Sequence, residues 1–445
     1  MISVAGIRAI VGESLQPETF LRYVMAFGTM CKGGRIVVGS DTRLSRHMVR
    51  NLVHAGLTAV GCQVVEIGLV ATPTVGLTVR RLNAAGGIAI TASHNPAEWN
   101  ALKFFGPTGT FLTPEANKTL LKIESEGAFH LASFQQLGAV EPLDDAIDFH
   151  IRVVLEQVDN FAIRSRGFRA SIDSVNGVGH LMLSPLMDRL GVQSDWIHAT
   201  IDHPFAHNPE PLPENLGNLS SSVREHHSNL GFAVDPDADR LALVDETGRA
   251  IGEERTLPLV ARCLLQSGLR GPLVVNLSTS QAIDHVAQEF NVPVYRTPIG
   301  EAHVVGKIDE VKALLGGEGN GGVIFPRIHP GRDAATGVAL ILHALAKAPE
   351  GTTLSQLNAQ IPDFAMIKTK HSIDGMDFAA LVARLEKIFP DKTSVNLEDG
   401  FKATLAKSWV HIRPSGTEPV VRIFAEAPDK DQAQALVDRV ANALG

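Results

Sequence analysis

Three related mixed α/β domains and a C-terminal α+β domain are predicted by a strand–turn–helix–strand plan that occurs three times, by the length of the chain, and by a change of pattern after residue 360. At 445 residues the chain exceeds the about 250–300 at which a single hydrophobic core stops growing. It carries 44% apolar and 20% charged residues, so each of several domains can bury a core of its own.

The first repeat runs from Arg35 through IVVGSDTR to VVEIG at Gly68, the second from Phe168 through RASIDSVNG to DWIHA, and the third from Leu273 through VVNLSTS to VYRTPIG. Each apolar run ends in polar turn residues, passes into a helix-period segment and returns as a strand, which is a βαβ unit. Such alternation predicts sheets covered by helices, with ligand groups gathered on loops at the carboxyl ends of strands. In the last domain MIKTKHSI, WVHIRP and PVVRIFAEA read as strands and DFAALVARLEKIF and DQAQALVDRVANAL as helices. Turn residues place the boundaries at 1–142, 143–248, 249–360 and 361–445.

The net charge of −8 argues against nucleic-acid binding while leaving room for a local cationic site for an anion. No apolar run approaches the ~18 residues of a membrane span, and MISVAGIRAIVGES lacks a charged leader before an apolar run, so no membrane partner and a cytoplasmic location are expected. Cys31, Cys62 and Cys263 are too far apart for a CxxC metal or redox site and read as buried thiols.

Four segments carry chemistry. TASHNP, residues 91–96, follows the apolar run GGIAI and places Ser93 on a loop at a strand end. A serine there is ordinarily a turn former. Adjacent residues of an extended chain point to opposite sides, so His94 does not by itself make a dyad with it. Lys103 lies on an alternating strand in WNALKFF, where a lysine is ordinarily exposed. DPDADR, residues 235–240, lies between the apolar runs GFAV and LALV. In near-extended chain, Asp235, Asp237 and Asp239 project to one side and repel unless a cation bridges them. Few hard oxygen ligands suit Mg²⁺; a calcium loop is rejected because its sixth position is Arg240 rather than glycine and LALV fills its middle. GGEGNGG, residues 316–322, is a glycine-rich turn expected between a helix and a strand, with Glu318 and Asn320 free to face a cleft. In RPSGTEP, residues 413–419, Arg413 offers a bidentate fork and Ser415, Gly416 and Thr417 offer hydroxyl and backbone donors for an anion.

In this order, with one segment per inferred domain, the four motifs closely resemble those of the α-D-phosphohexomutases. The resemblance implies three related domains and a TATA-binding-protein-like fourth around a central cleft. It implies that Ser93 carries the exchanged phosphoryl group, with Lys103 and His94 beside it, and that Asp235, Asp237 and Asp239 hold Mg²⁺ against the phosphoserine. Glu318 and Asn320 would meet sugar hydroxyls, and Arg413, Ser415, Gly416 and Thr417 the phosphate not being transferred. Arg8 and Arg43 resemble arginines near the family's active site, and Arg240 would pair with phosphate or brace its loop. Many members have Ser where this chain has Asn320 and His where it has Gly322. His303, His329 and Arg332 are the nearby candidates to replace that histidine, Arg332 first because a fixed guanidinium also suits phosphate.

The implied reaction interconverts a hexose 6-phosphate and 1-phosphate through a sugar bisphosphate, which is both intermediate and activator and turns around before returning a phosphate to Ser93. The compact length and motif set favour glucosamine phosphate, with glucose or mannose phosphate as the alternative. A monomer or homodimer acting on a phosphorylated hexose or hexosamine is expected. A sugar-phosphate-binding paralogue without turnover is the rival of a different class, and Gly322 is the one feature in its favour.

Overall fold

The computed structural model describes residues 2–3, 6–14, 16–372, 378–414 and 420–444. Its central strands are short apolar runs buried on both faces, as expected where helices cover both sides of a parallel sheet. Arg35–Ser40, Arg169–Asp173 and Leu273–Asn276 each pair in parallel with the strand that ends the predicted βαβ unit, at Gln63–Leu69, Gln193–Ile197 and Val294–Thr297.

The repeat extends beyond that unit. In each domain a further helix leads to a third strand, Gly86–Ile90, Leu230–Val234 or Leu315–Glu318, which pairs in parallel with the first strand on its other side. A short loop then reverses the chain into an antiparallel neighbour, Trp99–Phe105, Leu241–Asp245 or Gly322–Ile324. The first sheet grows to seven strands, and the other two have four each. The TASHNP, DPDADR and GGEGNGG segments therefore occupy the same topological position in three copies of one fold. The glycine-rich segment joins two strands of a hairpin, not a helix and a strand as its composition suggested.

The C-terminal domain is a five-stranded antiparallel sheet with the helices Phe378–Ile388 and Lys430–Leu444. It contains Ala365–Ser372, Trp409–Pro414 and Val420–Ala427, where strands were expected. It also contains Ser394–Asn396 and Phe401–Thr404, too short and too polar to stand out in the sequence.

The first and last domains have cores of their own, whereas one continuous apolar core underlies the second and third sheets. Cys62 and Cys263 are buried and Cys31 is partly exposed. Among the described residues no helix is long and apolar enough to cross a membrane.

Candidate active site

Ser93 sits just past the end of Gly86–Ile90 in a left-handed conformation, φ +51°, that L residues seldom adopt. Such a conformation costs of order 1–3 kcal/mol and persists only where the surroundings enforce it. Here the enforcement comes from Arg43. Its buried guanidinium donates to the carbonyls of Ser93 and Asn95 at 2.5 and 2.6 Å and to those of Pro96 and Trp99 at 2.6 and 2.9 Å. Asp41 holds Arg43 in turn at 3.1 Å, while Thr91 Oγ accepts from the Ser93 N–H at 2.9 Å and donates to Asp41 at 2.6 Å. Arg43 is thus a brace of the serine loop.

The turn also corrects the expectation for His94. Because Ser93 is left-handed and not extended, His94 stays on its side, with Nδ1 3.4 Å from Ser93 Oγ and Nε2 3.7 Å from Glu210. Burial, then the positive charge of Arg240, holds this imidazole well below its usual range, so it is neutral. Arg8 donates to Asn95 of the same loop at 3.2 Å.

Across from this loop, DPDADR is a turn and not the near-extended stretch read from its sequence: Ala238 adopts φ +51° and its N–H donates to the Asp235 carbonyl. The three carboxylates converge all the same, each offering an oxygen within 4.8 Å of the others. Ser93 Oγ donates to Asp235 Oδ2 at 2.8 Å, and the other Asp235 oxygen accepts the N–H groups of Asp239 and Arg240. Lys103 is buried, contrary to the ordinary reading of a strand lysine, and donates to Asp237 Oδ2 at 2.6 Å and Asp239 Oδ2 at 3.4 Å. Against the effect of its burial, those two aspartates hold its ammonium above the usual range. Thr72 adds a hydroxyl to Asp237 at 2.5 Å, a contact from a separate helix that no motif pointed to.

Asp237 Oδ1 and Asp239 Oδ1 are buried with no hydrogen-bond partner. Leaving such acceptors unpaired is costly, and three carboxylate oxygens with a serine hydroxyl form the hard donor set of a divalent cation. These residues fit a metal ion. Burial, then repulsion from Asp239 and Asp237, pushes Asp235 well above the ordinary carboxylate range. Burial alone would raise Asp239 too, but Arg332, Lys103 and Arg240 hold it well below. Arg240 donates to Glu210 at 3.1 Å, bracing the loop.

In the third domain Glu318 ends its strand with one oxygen accepting from Asn276 at 2.9 Å and the Gly300 N–H at 3.2 Å, and the other from Arg332 at 2.9 Å. Arg332 also donates to Asp239 at 2.8 Å, and its Nε lies 2.9 Å from Glu301 as an ion pair lacking hydrogen-bond alignment. Glu301, two residues before the candidate His303 in GEAH, joins this cluster, and burial pushes its carboxyl up to about 7. An acidic residue opening the helix Glu301–Val311 was the available signal. Asn320 turns its side-chain oxygen back onto the Gly322 N–H at 3.1 Å. His329 lies behind the site, buried near Asp333 and against Gly76.

Arg413 of the distal motif is held by Asp399 at 3.1 Å, whose other oxygen accepts the Ile299 N–H from the third domain at 2.9 Å. Ser415, Gly416 and Thr417 lie outside the described residues.

Comparison with known proteins matches this chain to four consecutive models described as phosphoglucomutase/phosphomannomutase: alpha/beta/alpha domain I over residues 2–130, domain II over 148–248, domain III over 253–364 and the C-terminal domain over 373–443. A protein of Thermococcus kodakarensis named phosphoglucomutase/phosphomannomutase is 36% identical over 440 residues, 97% of this chain and 96% of its own. One of Methanopyrus kandleri, named "Probable phosphoglucosamine mutase", is 36% identical over 442 residues, 98% of this chain and 95% of its own. The fold matches that of a phosphoglucomutase/phosphomannomutase family protein from Burkholderia thailandensis with a TM-score of 0.86 at 24% identity, over 100% of this chain and 98% of that one.

Proposed function

The chain belongs to the phosphoglucomutase/phosphomannomutase family of α-D-phosphohexomutases, isomerase-class phosphotransferases, and on that premise we propose that it interconverts glucosamine 6-phosphate and glucosamine 1-phosphate through a phosphoserine at Ser93. The observation that carries the site is the approach of Ser93 Oγ to Asp235, beside two buried aspartate oxygens that accept no hydrogen bond and a cationic lysine.

In the first transfer the bond between phosphorus and Ser93 Oγ breaks as one forms to the free hydroxyl oxygen of the sugar monophosphate. The proton of that hydroxyl passes to neutral His94, whose far nitrogen faces Glu210, and from His94 to the leaving Ser93 Oγ 3.4 Å away, which ends as the hydroxyl that donates to Asp235. Lys103 sets a fixed positive charge beside the transferring group. Asp235, Asp237, Asp239 and Ser93 would hold Mg²⁺, which when bound supplies further neutralisation of phosphoryl oxygens. Arg413 and the loop after it grip the distal phosphate. The bisphosphate then presents its other phosphate, Ser93 Oγ bonds to that phosphorus as it gives up its proton, His94 carries the proton to the sugar oxygen that loses phosphorus, and Ser93 is phosphorylated again.

The choice of glucosamine rests on the relative named for that sugar and on Glu318, a buried carboxylate suited to an amino group. The equally similar relative named for glucose and mannose phosphates makes these the alternative. The test is a panel of glucosamine, N-acetylglucosamine, glucose and mannose 6-phosphates with product identification, joined to peptide mass spectrometry of protein treated with a sugar 1,6-bisphosphate. The expected result is highest kcat/KM for glucosamine 6-phosphate, phosphate on Ser93, and turnover lost in Ser93→Ala. Preference for another sugar overturns the substrate assignment; phosphate on another residue overturns the carrier.

A further inference from the structure

Resting on that reading of the site, we propose that Arg332 is a positioning residue that yokes the aspartate loop to the sugar loop, and that position 322 is glycine to leave room for it. Two neighbouring glycines need separate explanations. Gly321 has φ +83°, a conformation that itself favours glycine. Gly322 is a strand residue outside the positive-φ positions, so its backbone does not require glycine. What chiefly excludes a side chain there is Arg332: a β-carbon on Gly322 would lie 2.3 Å from Arg332 Cδ and 2.9 Å from Cγ, with Asn320 Oδ1 next at 3.0 Å.

The arginine stem is not free to step aside. Its guanidinium is anchored by Asp239 of the aspartate loop, Glu318 of the sugar loop and Glu301, at 2.8, 2.9 and 2.9 Å, and its side chain is 10% exposed. Any side chain at 322 therefore displaces Arg332 and releases all three carboxylates. Backbone bonds run beside this link, from the Leu241 N–H to the Gly321 carbonyl and from the Ala334 N–H to the Ala238 carbonyl, so the two loops already form one surface on which Arg332 carries the charge. Glu318 Oε1 is occupied by Asn276 and Gly300, so a sugar donor must share Oε2 with Arg332. A carboxylate oxygen has two lone pairs and can accept both. Occupancy of the sugar loop is thereby transmitted, through one guanidinium, to Asp239.

The test is a cycle between Gly322→Ala and loss of the arginine. Because Arg332→Ala alone strands three buried carboxylates, the arginine is removed as Arg332→Ala/Glu301→Gln, and Arg332→Lys keeps a charge as the conservative variant. Calorimetry gives Mg²⁺ affinity without turnover, kinetics give KM and kcat for glucosamine and glucose 6-phosphates, and thermal melts establish folding. Gly322→Ala is expected to weaken Mg²⁺ and raise KM by about tenfold or more, the scale for loss of an outer-shell partner. The same change made where Arg332 is absent should alter either by less than about twofold, and Arg332→Lys should recover part of the Mg²⁺ affinity. Equal effects of Gly322→Ala with and without the arginine, or native Mg²⁺ affinity and KM in Gly322→Ala, overturn the proposal. Weakened Mg²⁺ binding in Gly322→Ala, in a protein whose wild type turns over none of the sugars, supports the yoke and overturns the substrate assignment alone.

Discussion

His329 was set out from the sequence as one replacement for a missing acid–base histidine, and its surroundings give it a different part. It packs against Gly76 and Gly331, with Asp333 and His150 close by, and burial lowers its pKa to about 3. Asp333 works in the opposite direction and only offsets the desolvation. An imidazole depressed from 6.5 to about 3 is neutral when folded and takes up a proton when unfolded. Its contribution to stability is therefore whole above pH ~6.5 and is lost progressively as pH falls toward 3, at up to about 1.4 kcal/mol per pH unit. Urea unfolding between pH 8 and pH 4.5 should show this slope, and His329→Asn should flatten it while leaving the aspartate loop intact. A variant as acid-sensitive as the wild type would show that other groups, such as His411, held by burial at about 4, carry the acid response.

At the scale of the element, the three copied hairpin loops explain both what could be read in the sequence and what could not. The apolar runs and their helix-period partners gave the βαβ units, and the four motif segments were legible because each interrupts a strand with residues that a strand does not need. The serine, the three aspartates and Glu318 lie in these segments, Lys103 was added by the family resemblance alone, and they meet in space. The partners that hold them were not legible. Thr72, Glu210, Asp41 and Glu301 come from separate segments where a threonine or an acid has many ordinary uses, and only folding brings them in. The left-handed Ser93 and Ala238 were missed because neither residue type announces that conformation, and both expectations of extended geometry failed there. Arg43 is what makes the first of these turns affordable. Since its guanidinium serves four carbonyls and Asp41 in a buried pocket, Arg43→Lys should cost on the order of 3 kcal/mol from lost charge-assisted bonds and cut Ser93 phosphorylation sharply. Chemical unfolding and the rate of phosphate incorporation from a sugar bisphosphate measure both. A stable Lys variant phosphorylated at the native rate would show that the turn holds without the fork.

At the scale of the molecule, an acidic chain gathers cations from three domains around Asp239, Lys103 from the first, Arg240 from the second and Arg332 from the third, while Arg413 of the last domain is tied to the third through Asp399. The reaction proposed here needs the last domain to grip a phosphate while the sugar turns, so its attachment to the third domain matters to binding. That attachment is polar and buried. Glu426 of the C-terminal sheet accepts from Ser280 Oγ at 2.9 Å, from the Gln281 N–H at 3.0 and 3.1 Å, and from the indole of its own Trp409 at 3.0 Å. Ser278 meets His411 at 2.7 Å nearby, and Lys402 donates to the Leu277 carbonyl. Glu426→Ala leaves three donors without an acceptor, two of them buried, at about 1–3 kcal/mol for each that water cannot reach. None of them touches Ser93 or the aspartate loop, so the chemistry of the serine should survive while the clasp loosens. The expected outcome is a several-fold rise in KM for the sugar phosphate, phosphate incorporation on Ser93 close to the native rate, and a larger radius of gyration by small-angle scattering. An unchanged KM with native scattering would mean that the last domain is held chiefly by other contacts, such as the Lys368 pairs with Glu253 and Glu254 at 2.8 and 3.0 Å, and would move the search for its hinge there.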